Sequence, residues 1–126
     1  MGYCHAVAHS LGGQYHVPHG LANAVLLPYV LEAYGDCAHK KYKDIAIAMH
    51  LADNDTPERV AAQKLIAEIR RMNKAMDIPE KLPRIKTVDI PKLARYADKE
   101  ANPLYPVPKL MDAKELERFY YDVMEE

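Results

Sequence analysis

The chain has 126 residues, 49% of them hydrophobic and 28% charged, with a formal net charge of -1. That is enough sequence for one buried core and too little for two, so residues 1–126 are expected to form a single unit. The near-neutral balance excludes a general field for nucleic acid or an anionic membrane, and no basic cluster supplies a local one.

Helical spacing recurs and alternating strand patterns are absent, which predicts an all-α bundle of about six helices. Residues 3 to 11 suit a short first helix stopped by Gly12-Gly13. Pro18 fits the first turn of a second helix, "GLANAVLLPYVLEAYG", which ends near Gly35. That stretch is apolar nearly all round and belongs in the middle of the bundle. Asn23, Pro28 and Glu32 interrupt it, and it falls short of a membrane span. Pro28 removes a backbone donor inside it and should kink it. A third helix is expected from about Ala38 to Ala52, with Tyr42, Ile45, Ala46 and Met49 on one face. Asp55 or Thr56 caps a fourth, with Pro57 in its first turn and Glu58 placed for a capping box. Its inward stripe is Ala61, Leu65, Ile69, Met72 and Met76. Pro79 and Pro83 bracket a loop, and Asp89 starts a fifth helix through Leu93, Ala94 and Ala97. The run "NPLYPVP", residues 102 to 108, must be extended, because Pro103, Pro106 and Pro108 forbid a helix. Asp112 and Glu115 form a capping box for a last helix that buries Leu116, Phe119, Tyr120 and Val123.

Two cysteines, Cys4 and Cys37, are too few for a disulfide framework, and no secretory signal is visible. A reducing cytoplasm is the expected compartment. Cys4 reads as a small buried hydrophobe.

The chemistry concentrates in "HAVAHSLGGQYHVPHG", residues 5 to 20, which holds four of the six histidines. His5 and His9 are four apart and share a helix face. A glycine turn can fold the chain back and bring His19, at the start of the next helix, towards His5. Gly20 leaves room beside it, and the unpaired N–H groups of a helix start suit an anionic group nearby. Two imidazoles at the spacing of His5 and His9 can meet one metal, or one can bind while the other lies beside a substrate. The His-x-x-x-His pair lacks the glutamate of a metalloprotease, which excludes that reading. A single histidine is more often structural than functional, and His16, His39 and His50 are read as surface or packing residues.

The stretch "GYCHAVAHSLGGQYHVPHGLANAVLLPYVLEAYG" resembles the signature of the iron-containing (group III) alcohol dehydrogenases. Gly2, His5, His9, Gly12, Pro18, His19, Gly20, Asn23, Ala24, Leu27 and Pro28 meet that pattern with matching gaps. The later "ANPLYPVPKLMDAKELERFYYDVM" is similar to the same family's C-terminal end. The resemblance implies a C-terminal helical domain whose N-terminal dinucleotide-binding domain, with its Gly-Gly-Gly-Ser turn, is not in these residues. It assigns His5 and His19 as metal ligands for Fe(II) or Zn(II). It places His9 beside the nicotinamide and substrate, as both cofactor contact and catalytic proton relay. The remaining ligands, an aspartate and a histidine on an earlier helix, have no counterpart here.

The activity implied is interconversion of small alcohols with aldehydes or ketones by hydride transfer with NAD(H) or NADP(H), in the intact enzyme rather than in this chain alone. The partners implied are the dinucleotide-binding domain and a small alcohol or aldehyde, with no nucleic acid and no membrane. The face that meets the missing domain is expected to carry apolar residues of the first two helices and to favour a homo-oligomer when bare. Two other readings compete: a non-catalytic helical binding module, and a metal-binding remnant or carrier using His5, His9, His16 and His19 together.

Overall fold

The computed structural model describes residues 2–102 and 109–125. Within them lie six α-helices: α1 Gly2–Tyr15, α2 His19–Tyr34, α3 His39–Ala48, α4 Glu58–Ala75, α5 Ile90–Ala101 and α6 Ala113–Val123. Short 3-10 turns at Gly35–Ala38 and Thr87–Asp89 lead into α3 and α5. The all-α expectation holds among the described residues. Pro103 to Pro108, expected to be extended, lie outside them.

The apolar α2 takes the central place. It packs on α1 and α6 on one side and on α4 on the other, while α3 pairs with α4 and α5 fills the angle between α1 and α6. A helix can occupy such a position only if it is apolar on several faces. Ala22, Val25, Leu26, Pro28, Val30, Leu31, Ala33 and Tyr34 are all buried.

Pro28 lies inside α2 without ending it. Its missing N–H leaves the Ala24 carbonyl, four residues back, with no donor from its own helix. Asn73 of α4 supplies one: its Nδ2 donates to the Ala24 oxygen at 2.9 Å. The proline therefore ties α2 to α4 through the carbonyl it orphans.

Two tyrosines fasten α1. Tyr3, fully buried, donates to Asn102 Oδ1 at 2.8 Å and accepts from the Met111 N–H at 2.7 Å. Asn102 also donates to Asp98 Oδ1 and to the Met111 carbonyl, closing the network between α5 and α6. At the other end Tyr15 donates to Asp89 Oδ2 at 2.8 Å and accepts from the Lys86 N–H at 3.1 Å. Near the middle, Ser10 Oγ lies 2.6 Å from the Tyr120 hydroxyl, which also reaches the Leu93 carbonyl.

Several local expectations are corrected. The fourth helix has no side-chain cap. Asp53 and Thr56 instead bond each other, and Asp53 Oδ1 accepts from the Asp55 N–H, so these side chains are spent on the preceding turn. Pro57 stands at the cap itself, just before the first turn. The buried residues of α4 are Ala61, Ala62, Leu65 and Ile66; Ile69 and Met72 of the expected stripe are only half-buried, and Met76, just past the helix end, is exposed. The third helix is shorter than expected and buries only Tyr42 and Ala46, leaving Ile45 and Met49 exposed. Both helices end on a non-glycine residue in the left-handed region, His50 (φ 61) and Asp77 (φ 58). The paired bonds Leu51 N–H to Ala46 and Ile78 N–H to Asn73 complete Schellman turns. The last helix is as expected. Asp112 and Glu115 form both halves of a capping box, and Leu116, Phe119, Tyr120 and Val123 are fully buried.

Asn73→Ala should lower stability by about 1 kcal/mol, the usual effect of leaving one carbonyl without its partner. In a Pro28→Ala background, where the helix regains its own donor, the same change should cost much less. Urea unfolding of the four chains in this double-mutant cycle measures the difference.

Candidate metal centre

The site is built by the reversal between α1 and α2. Residues His16 to Pro18 turn the chain, which brings α2 back along α1. Gly12 makes so tight a return feasible, since a Cβ there would stand 3.3 Å from the Val17 carbonyl oxygen. The first helix does not stop at Gly12-Gly13 as the sequence suggested; it runs to Tyr15. His16 takes the left-handed conformation (φ 58), and its N–H bonds the Gly12 carbonyl at 3.0 Å, the role a glycine usually fills. Gly12 thus serves close approach and not termination.

The return sets His19, the first residue of α2, against the first turns of α1. The His5 and His19 ring centroids lie 4.9 Å apart with planes at 78°. His9 completes a triangle, 6.1 Å from His5 and 6.5 Å from His19. All three are exposed residues. Gly20 beside them is open, with nothing within 4 Å of where its Cβ would be. The sequence expectation that these imidazoles gather is met in the fold.

The electrostatic setting is less complete. His19 heads α2, where the backbone N–H groups present the positive end of the helix. A divalent cation between His5 and His19 would meet neutral donors and a positive helix end. Among the described residues no group of three or more His, Cys, Asp or Glu side chains is arranged to hold a metal ion. A site of four imidazoles, as the carrier reading required, is therefore not formed. The donor pair fits part of an Fe(II) coordination set, since neutral imidazoles suit that ion, and it calls for a carboxylate from elsewhere.

One close neighbour of the histidines was missed. Glu100 of α5 puts Oε1 2.5 Å from His9 Nδ1. The two side chains line a cleft of about 300 Å³ with Ser10, Gln14, Leu93 and Tyr96. No local motif could have found Glu100, 91 residues further along the chain. A larger cleft of about 400 Å³ lies away from the imidazoles, between α2 and α4 beside Tyr29 and Arg70.

The other residues fall as read or are corrected. Cys4 is buried, and burial pushes its thiol up to about 11, so it stays an inert thiol. His39 pairs with Asp36 at 3.1 Å, and His50 is an exposed turn residue. The first two helices leave Tyr15, Leu21, Leu27 and Tyr29 partly exposed. The large exposed hydrophobics among the described residues are Ile45, Met49, Met76, Val88, Tyr96, Leu110 and Tyr121, none on α1 or α2. The outward positions of those helices carry His5, His9, Gln14, His19 and Gly20 instead.

The two adjacent glycines should respond oppositely to substitution. Gly13 faces open space in a helix, so Gly13→Ala should raise stability by about 0.5–1 kcal/mol. Gly12→Val must displace the Val17 carbonyl and should lower it by about 1–3 kcal/mol. Thermal unfolding of both variants checks the pair.

Comparison with known proteins gives the family. The family model described as "Fe-containing alcohol dehydrogenase family, C-terminal" matches residues 1–124. Alcohol dehydrogenase 4 of Saccharomyces cerevisiae is 42% identical over 104 residues, covering 80% of this chain and 26% of that protein. A 1,3-propanediol dehydrogenase of Klebsiella pneumoniae is 41% identical, covering 81% and 27%. A crystal structure of a 1,3-propanediol oxidoreductase superposes with a TM-score of 0.88 at 36% identity, over 98% of this chain and 33% of that one. The chain therefore spans about a third of the solved structure, and less of the curated relatives it matches. With convergent imidazoles on the fold and a family match along nearly its whole length, the chain belongs to the Fe-containing alcohol dehydrogenase family, to whose C-terminal part it corresponds.

Proposed function

We propose that this chain supplies the metal-ligating half of an alcohol dehydrogenase reaction centre. The whole site would interconvert small alcohols with aldehydes or ketones by hydride transfer to and from NAD(P). The observation that carries this reading is the meeting of His5 and His19, from two helices, at 4.9 Å on an exposed face.

In this reading His5 and His19 hold iron, and an aspartate and a histidine on an earlier helix, not among these residues, contribute the remaining ligands. The family description names iron; nothing here favours zinc. Iron bound there would supply Lewis acidity that polarises the substrate oxygen and eases hydride transfer. The relatives' names point to small alcohols and diols as the substrate class.

The chain's own residues do the rest. His9, within 6.5 Å of both ligands, accepts the hydroxyl proton at Nε2 in the oxidative direction and returns it in reduction. Gly20 keeps the space beside His19 clear for the substrate or the nicotinamide. The positive start of α2 favours the negative oxygen that develops at the reacting carbon. The same helix end, with no carboxylate among the donors, makes the chain by itself a weak metal site and a poor enzyme.

Anaerobic calorimetric titration with Fe(II) should therefore show weak binding that drops about tenfold or more in His5→Ala and in His19→Ala, with His16→Ala unchanged. An equal loss in His16→Ala, or none in the other two, overturns the ligand assignment. The chain mixed with NADPH and short aldehydes should show no turnover above buffer; rapid turnover would contradict the shared-site reading.

A further inference from the structure

The cleft between α1 and α5 contains a contact that the metal pair does not explain. His9 Nδ1 and Glu100 Oε1 are 2.5 Å apart, joining two helices across 91 residues of sequence. An ionised carboxylate only accepts hydrogen bonds, so the hydrogen in this contact belongs to the imidazole nitrogen. Nδ1 is then the protonated nitrogen of the neutral ring, and Nε2 carries the lone pair.

The carboxylate is the better fixed of the two groups. Its side chain is 27% exposed against 66% for His9. It stands on α5 between Ala97 and Ala101, which are buried and small enough to let that helix come close to the bundle. Two residues on, Asn102 bonds Asp98, Met111 and Tyr3, so the end of α5 is tied to the start of α1. Glu100 is therefore delivered to His9 by the same network that places His5. An exposed ion pair contributes only about 0–1 kcal/mol to stability, which makes orientation of the ring its more consequential effect.

We infer that Glu100 is a positioning residue for His9: it holds the ring in one orientation and in the Nδ1–H tautomer, so that Nε2 is kept free of a proton. This rests on the reading of His9 as the proton-handling residue for its functional meaning, but the tautomer itself does not depend on that reading. A neutral imidazole protonated at Nε2 could not take up a hydroxyl proton at that atom.

The test is two-bond 15N–1H correlation NMR of the histidine rings in the 126-residue chain, without metal or cofactor, at alkaline pH where imidazoles are neutral. In the wild-type chain His9 should be protonated at Nδ1 and bare at Nε2. Glu100→Ala should lose that preference, with the Nε2–H form taking over. Glu100→Gln, which retains an acceptor oxygen, should keep most of it. The His39 ring, bonded to Asp36 on another face, should be unchanged in every variant. A wild-type His9 already protonated at Nε2, or a His9 pattern identical in Glu100→Ala, overturns the proposal. A chain that shows the Glu100-dependent tautomer yet fails to bind Fe(II) through His5 and His19 upholds the positioning role and removes the metal reading alone.

Discussion

The approach of Gly12 to the Val17 carbonyl is the constraint on which the site depends. Where the chain returns on itself within residues 16 to 18, a Cβ at position 12 would stand 3.3 Å from the Val17 carbonyl oxygen, so any side chain there makes the turn shift. With hydrogen at that point, α2 can start directly beside α1, and His19 arrives against His5. The approach of His19 to His5 thus follows from the backbone reversal.

The helix that carries His5 and His9 is held at both ends by buried or half-buried tyrosines. Tyr3 reaches the α5–α6 side and Tyr15 reaches the turn before α5. These bonds are far apart in sequence and fix the rotation of α1 as well as its position. Rotation matters because His5, His9 and Glu100 must share one face while Cys4, Val7 and Leu11 share the other, fully buried one. The polar character of the outward face follows. Imidazoles and glycine occupy exposed positions of that face, while the apolar side chains lie on the opposite one.

Local signals in the sequence were sufficient wherever a few neighbouring residues decide the outcome. The Asp112–Glu115 box and the all-round apolarity of α2 each translated directly into structure, while Pro18, expected in the first turn of α2, stands at its cap as Pro57 does for α4. Signals failed where two local uses compete for one residue. Gly12-Gly13 looks like a helix stop, yet packing against Val17 had the prior claim and His16 ended the helix. Thr56 looks like a cap, yet it serves the turn with Asp53. Contacts such as Asn73 with Ala24, and Glu100 with His9, depend on which helices become neighbours, and no periodicity encodes that. The histidine cluster was legible because its spacing within one helix and across one turn is a local property; its carboxylate partner was not.

The most direct measurement is the through-space contact between two assigned rings. In the folded chain, nuclear Overhauser spectra should connect the ring protons of His5 with those of His19, as centroids 4.9 Å apart require. A well-dispersed spectrum of a folded chain that lacks this cross-peak, with both rings assigned, would contradict the convergence from which the metal-centre reading is built.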